Sequence, residues 1–303
     1  MGIKSEQFNR IISLRLNRAG NDKAINAREK VSPTCIICPP KGRKPNIEIN
    51  GTWTTDVDLP AFNIAIKNLY LNILTAQYTS VEVEVGYEGN TVVINGDILT
   101  MYQETPGPEG RTIIQCVYGR MQQWLDANVS LNYDAGTSLE DILSSLKNSI
   151  KADRVRTGNV AKTLTLKTPL QFDGKARAAM SKLCEIFQED RLAVFMVGME
   201  IRAICLTKGD FIEAPQVLQY MSAPPQENTG DEAGSFYTTI TAPWMPKLSI
   251  GNILEIPSRV YIRNYATVGG SSKTQKIQVT SLSFHFGTTG GTNSMTVQGF
   301  IVR

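Results

Sequence analysis

The run VEVEVGYEGNTVVINGDI at residues 81–98 carries the plainest structural signal in this chain. Val81, Val83, Val85 and Tyr87 take every second position, with Glu82, Glu84 and Gly86 between them. A period of two sends alternate side chains to opposite faces of a strand, one dry and one wet or partner-facing. Glu88-Gly89-Asn90 follows, and Gly and Asn tolerate a positive φ at little cost. Residues 91–94 resume a β-branched run, and Asn95-Gly96-Asp97 breaks it again. The pattern predicts a β-hairpin closed by a short loop at 88–90.

Strands surround that hairpin in the sequence. Residues 10–17 alternate through Ile12, Leu14 and Leu16, and 62–69 through Phe62, Ile64 and Ile66. Residues 46–55 alternate too, with a bulge or bend expected at Gly51. Residues 97–103 extend the hairpin's second arm or begin another strand, and 112–117 form one more. Short strands with turns between them predict a small antiparallel barrel or sandwich over residues 1–123.

The character then changes. Residues 134–150 carry a helix signature, with Thr137 and Glu140 as a capping box and Leu139, Ile142, Leu143, Leu146 and Ile150 on one face. Residues 151–162 read as a loop and 163–167 as a short strand. A second helix is expected over 174–187, capped by Asp173, its buried stripe made by Ala176, Met180, Leu183, Cys184 and Phe187. Residues 191–197 and 199–207 look like two strands with a tight turn at Gly198. The α+β unit therefore covers 124–235 and ends in a mobile loop at 224–234, rich in Pro, Gly and polar residues. Residues 236–303 return to strands, at 236–242, 252–263, 275–286 and 294–302. The expected fold is mainly β: two tube-like antiparallel β-barrel domains flanking a small α+β domain.

Composition narrows the function. Charged residues are 19% of the chain, against about a quarter in ordinary soluble domains. With no apolar run long enough to span a membrane, this points to surface covered by other protein. A net charge of +3 makes no electrostatic case for nucleic-acid binding. The five cysteines do not make a disulfide framework, which fits synthesis in a reducing cytoplasm.

Catalytic chemistry finds little purchase. Cys35-x-x-Cys38 has metal-like spacing, but a structural zinc site takes four ligands, and His285 is the single histidine. His285, in SLSFHFG, falls on the strand face opposite Phe284 and Phe286, and no nucleophile motif accompanies it. Glu82/Glu84 and Glu140/Asp141 are acid pairs of the kind glycoside cleavage uses, at a spacing common on any strand or helix. Gly269-Gly270-Ser271-Ser272 lacks the Lys-Ser/Thr and the helix of a phosphate loop. Trp53, Trp124 and Trp244 read as core or interface anchors. No catalytic, cofactor-binding or metal residue is expected, and no cofactor.

Several segments together resemble the baseplate hub proteins of contractile-tailed bacteriophages, the superfamily that includes late-control tail proteins and the base of type VI secretion spikes. INGTW and FNIAIKNL, followed by VEVEVGYEGN and INGDI, look like that family's first tube-like barrel. VSLNYDAGTSLEDILSSL and GKARAAMSKLC are similar to the opening and the second helix of its middle domain. APWMPKLSIGNILEIPSR, followed by IQVTSLSFHFGTTGGTNSMTVQGFIV, resembles its closing barrel. The four segments occur in the family's order. The resemblance implies a homotrimeric ring that adapts the sixfold tail tube to a threefold central spike. Its partners would be the tail-tube initiator or tube protein, the spike and the baseplate wedge proteins. It would touch no membrane, and DNA would only pass through its lumen. The location implied is the virion tail baseplate, after synthesis in the host bacterial cytoplasm. Two alternatives are a cell-wall-degrading tail hydrolase using Glu82, Glu84 or Asp141, and a tail-tube protein, which the α+β insert disfavours.

Overall fold

Among the described residues, seven strands lie before residue 119, most of them built on alternating apolar residues: β1 (Arg10–Arg18), β2 (Thr34–Ile36), β3 (Ile47–Thr54), β4 (Ala61–Lys67), β5 (Tyr78–Tyr87), β6 (Asn90–Gln103) and β7 (Arg111–Tyr118). The structure is a computed structural model that describes residues 10–18, 34–36, 46–55, 60–67, 78–87, 90–104, 110–119, 124–206, 208–218, 220–221, 226–228, 237–243, 245, 247–256, 259–262, 268–269, 275–288 and 293–302. The expected hairpin is β5–β6, and Val81, Val83 and Val85 are buried on its dry face. Each fully buried valine contributes about 1.5–3 kcal/mol relative to exposure. Asn90 already pairs with Tyr87, so the returning strand starts one residue earlier than the expected loop allows.

Asn95-Gly96-Asp97 does not end the strand. β6 runs through it and changes partner: residues 90–97 pair with β5, and 97–103 with β7 across a register shift at Ile98/Thr100. Gly96 is the corner. A Cβ there would lie 2.6 Å from the Phe62 ring and 2.8 Å from the Val117 carbonyl oxygen, so only glycine lets the strand turn against that ring.

The middle unit contains β8 (Asn128–Tyr133), α1 (Leu139–Ile150), β9 (Arg154–Thr157), β10 (Leu170–Lys175), α2 (Ala176–Ile186), β11 (Leu192–Val197) and β12 (Glu200–Cys205). The α1 stripe is the expected one, but the cap is Ser138. Its Oγ accepts from the Asp141 N–H at 3.1 Å and donates to the Asp141 carboxylate at 2.6 Å. Thr137 instead turns its hydroxyl to the Asp134 carbonyl. Ser outranks Thr as a cap, and Asp141 supplies both the N–H that this cap accepts and the carboxylate to which it donates. The expected cap of α2 is also corrected: Asp173 and Gly174 belong to β10, held against β8 as far as Lys175 opposite Asn128. The stripe of α2 gains Ala179, while Cys184 is half-buried. Residues 163–167 make no strand, only an isolated bridge from Thr165 to Ser138. The expected loop at 151–162 holds β9, which pairs parallel with β12.

The closing segment contributes β13 (Gln216–Val217), β14 (Tyr220–Met221), β15 (Gln226–Asn228), β16 (Tyr237–Pro243), β17 (Ile253–Ile256), β18 (Arg259–Ile262), β19 (Val268–Gly269), β20 (Gln275–Gly287) and β21 (Ser294–Val302). β15 lies within the expected 224–234 loop, where it pairs antiparallel with β16; the rest of that stretch is outside the described residues. β20 changes partner as β6 does. Its first part pairs with β17, and after a register shift at Val279/Ser281 its second part pairs with β3.

That β20–β3 pairing joins the two strand-rich parts of the chain into one sheet, in the order β15-β16-β21-β20-β3-β4-β7-β6-β5-β1-β2. The fold is therefore mainly β, with tube-like antiparallel sheet curled round its core on either side of the joint and an α+β unit between the two parts in sequence. Among the described residues two hydrophobic cores result, one under the large sheet and one in the α+β unit. The β11–β12 hairpin serves both. Ala193, Phe195 and Ile204 enter the first core; Leu192, Val194, Met196, Ile201 and Ala203 enter the second. A strand dry on both faces shows no alternation, which explains the unbroken LAVFMV run.

Gly51 carries no bulge. It stays in register with Phe284 on one side and Phe62 on the other. Its bare Cα makes room for aromatic rings, because a Cβ would lie 2.5 Å from Phe284 and 2.9 Å from Phe62. Gly51→Val is expected to destabilise the fold by about 3 kcal/mol through overpacking, read as a lowered urea midpoint. Wild-type stability would contradict this packing.

Candidate functional site

The joined sheet presents two chemically distinct faces, and the register shows how sharply they separate. One cross-strand row reads Phe286, Ile49, Ile64, Ile114 and Met101. Another reads Phe284, Gly51, Phe62, Cys116 and Ile98. The row between them, on the opposite face, reads Ser294, His285, Asn50, Asn63, Gln115 and Thr100 across six strands. A second row on this polar face reads Thr241, Thr296, Ser283, Thr52 and Ala61. Thr52 and Ser283 share a hydroxyl hydrogen bond at 3.1 Å, and His285 contacts the Asn50 side-chain oxygen. These two rows carry hydroxyls, amides and one imidazole, with no carboxylate, ammonium or guanidinium.

The sheet also ends, among the described residues, in open edges. Among the described residues, β15 pairs only with β16, and β6 beyond Ile98 pairs only with β7. Leu99 and Tyr102 on that stretch of β6 are 54% and 41% exposed. Unpaired strand edges are templates for another chain.

A charged cluster sits where the α+β unit meets the closing segment. Arg202, 5% exposed, donates to Glu200 at 3.2 Å and to Glu213 and Ser249 at 3.4 Å. Arg156 reaches Glu213 at 2.7 Å and Glu200 at 3.5 Å, and Arg154 also pairs with Glu200. Asn252 donates to Glu213 at 3.2 Å. Burial draws the Arg202 guanidinium below its ordinary range, which the Glu213 carboxylate opposes. Beside this cluster lies a cleft of about 380 Å³ between Trp53, Tyr118, Val197, Glu213 and Ser249.

Asp210 ties the same region together. Its buried carboxylate accepts from the backbone N–H groups of Val160 at 2.9 Å and of Ala161 and Cys205 at 3.0 Å. Its carbonyl accepts from the Gln278 side chain on β20 at 2.7 Å. Gly158 leaves the space: a Cβ there would lie 2.3 Å from the carboxylate.

The residues weighed for catalysis do not converge. Glu82 pairs with Arg15 at 3.3 Å, and Glu84 accepts from Thr91 at 2.8 Å, both on the large sheet. Glu140 and Asp141 lie in the first turn of α1, where acidic residues complement the helix dipole. His285 has the expected orientation, away from buried Phe284 and Phe286. Cys35 falls in β2, while Cys38, Trp244 and residues 270–272 lie outside the described residues. Trp124 is buried, and Trp53 packs 4.9 Å from Phe284 and 5.2 Å from Tyr118. Burial and the Asp97 carboxylate push the Cys116 thiol up to about 12, which leaves it unreactive at neutral pH. Among the described residues, no three His, Cys, Asp or Glu side chains are grouped to hold a metal.

Sequence reading missed the Arg154/Arg156/Arg202 cluster and Asp210. One signal was present: Glu200 and Arg202 interrupt EIRAIC, an otherwise apolar strand, and charges within such a run need internal partners.

No family model matches this sequence, and no curated protein does. Solved structures do. The chain is similar to a tail protein of Neisseria meningitidis MC58, with a TM-score of 0.59, 11% identity and coverage of 96% of both chains. It is similar to the 43 kDa tail protein of prophage MuSo2 from Shewanella oneidensis, with a TM-score of 0.55, 10% identity and coverage of 97% of both. A third is an Escherichia coli component of the type VI secretion system, described as structurally similar to T4 bacteriophage tail proteins gp27 and gp5. There the TM-score is 0.54 and the identity 9%, over 86% of this chain and 74% of the other. The fold of this chain is thus one found in phage tail proteins.

Proposed function

We propose that this chain is a structural, non-enzymatic hub of a phage tail baseplate, a homotrimeric ring between the sixfold tail tube and the threefold central spike. The observation that carries this is the β20–β3 joint. Two strand-rich modules of one chain meet edge to edge in a single sheet, and among the described residues the sheet ends in further open edges. A joint already made inside the chain can be repeated between chains. Rotation closes such head-to-tail contacts into a ring. Three copies with two modules each present six similar units to the tube and a true threefold to the spike. The likeness to tail proteins of N. meningitidis and S. oneidensis supports the tail role. The domain division follows the same logic: residues 1–123 and 236–303 build the ring together with β15, which joins their sheet, and the rest of 124–235 lies beside it, sharing the β11–β12 hairpin. The two uncharged rows of the polar face would line the passage, where hydroxyl and amide groups offer DNA phosphates no fixed cation to hold them; Glu48, Lys67 and Arg111 stand further along the same face. Partners would be the tube initiator or tube protein, the spike and the wedge proteins. Native mass spectrometry tests the assembly. A trimer is expected, and a strict monomer at high micromolar concentration would overturn the proposal.

A further inference from the structure

We infer that copies of this chain close on one another through the Ile98–Gln103 stretch of β6 in one copy and β15 of the next, paired antiparallel. This rests on the ring proposed above and names the edges that make it. The deduction begins with strand direction. From β15 to β6 the sheet passes through β16, β21, β20, β3, β4 and β7, and every neighbouring pair is antiparallel. That makes eight strands. An even number of alternating strands leaves the two outermost strands pointing in opposite directions. Rotation about a ring axis preserves direction along that axis, so the β15 edge of one copy arrives antiparallel to the β6 edge of its neighbour. Antiparallel neighbours can exchange regular hydrogen bonds. With an odd number, ring closure would demand a parallel joint in an otherwise antiparallel sheet.

The β6 edge is also prepared for company. β5 covers only residues 90–97 of β6 before the corner at Gly96. Beyond it, among the described residues, Ile98–Gln103 has β7 on one side and no strand on the other. A long, exposed strand edge is usually blunted by charge or covered. Residues 98–103 read ILTMYQ without a charge, and Leu99 and Tyr102 are exposed there. At the other end, β15 is three residues long and covers β16 only at Tyr237–Thr239. Its sequence, Gln226-Glu227-Asn228, adds no positive charge to the joint.

Cysteine cross-linking of the full chain tests this. Thr100→Cys is combined in turn with Gln226→Cys, Glu227→Cys and Asn228→Cys, because a disulfide forms only between neighbouring strand positions on one face. At least one pairing is expected to give a covalent trimer on mild oxidation, reversed by reductant, while each single variant stays monomeric on a denaturing gel. Mixing two single variants of the successful pair should give a covalent dimer. If native mass spectrometry shows a trimer and no pairing cross-links, the edge assignment is wrong and the ring survives. If the chain is monomeric, the ring proposal itself fails. As a second readout, the Leu99→Lys, Tyr102→Lys double variant should keep the wild-type circular dichroism and weaken the trimer by about tenfold or more. A folded double variant that trimerises like wild type would overturn the inference.

Discussion

Asp210→Ala is expected to remove about 3–5 kcal/mol of stability, a large share of what a domain has. The side chain holds three backbone donors at 2.9–3.0 Å in a buried site. Truncation leaves Val160, Ala161 and Cys205 N–H groups without that acceptor, each at a desolvation cost of about 1–3 kcal/mol before relaxation. The effect should reach beyond the local turn, because the Asp210 carbonyl is tied to Gln278 on β20. A lowered thermal midpoint, with early loss of hydrogen-exchange protection at Val160, Ala161 and Cys205, is the predicted outcome. Asp210→Asn should recover part of the loss: its carbonyl oxygen can still accept from Ala161 and Cys205, while its amide turns a donor towards the Val160 N–H. An alanine variant within about 1 kcal/mol of wild type would show that the knot is not needed.

Glu200→Ala should be nearly as damaging. Glu200 pairs with three arginines, Arg154, Arg156 and Arg202. Removing it leaves the buried Arg202 guanidinium with Glu213 and Ser249, both at 3.4 Å. Stripping one partner from a buried pair costs about 3–5 kcal/mol, mostly through the charge left behind. The control is the double variant Glu200→Leu, Arg202→Met, which removes both charges and should regain most of the loss. Urea denaturation of the three proteins checks this. If the double variant is no better than Glu200→Ala, the loss comes from packing and not from an uncompensated charge.

Glu200 left a trace in the sequence, a charge within an apolar strand, whereas Asp210 left none. Asp210 in its Lys-Gly-Asp turn looks like any turn aspartate, and its three donors come from residues 160, 161 and 205. Nothing local announces that the chain returns there. By contrast, wherever one face of an element is dry, periodicity was enough: Val81, Val83 and Val85 on β5 and the Leu139–Ile150 stripe of α1 were legible at once. Boundaries slipped where two local rules competed. Ser138 with Asp141 outbid Thr137 with Glu140, and antiparallel pairing with β8 kept Asp173-Gly174 in a strand. Glycines misled as well. Gly51 read as a bulge or bend and Gly96 as a break, yet each sits inside a continuous strand because Phe62 and its neighbours occupy the space of a Cβ. The β20–β3 joint lay beyond reach, since a pairing between residues 51 and 284 leaves no mark on either segment alone. The open edges were anticipated in kind, from the low charge and the many strands, but not in place.

Electron microscopy of the purified chain tests the central claim most directly. The account predicts class averages with threefold symmetry around an open central channel, built from protomers joined side by side. Isolated particles of single-chain size, with no rotational symmetry and no channel at high micromolar concentration, would contradict it.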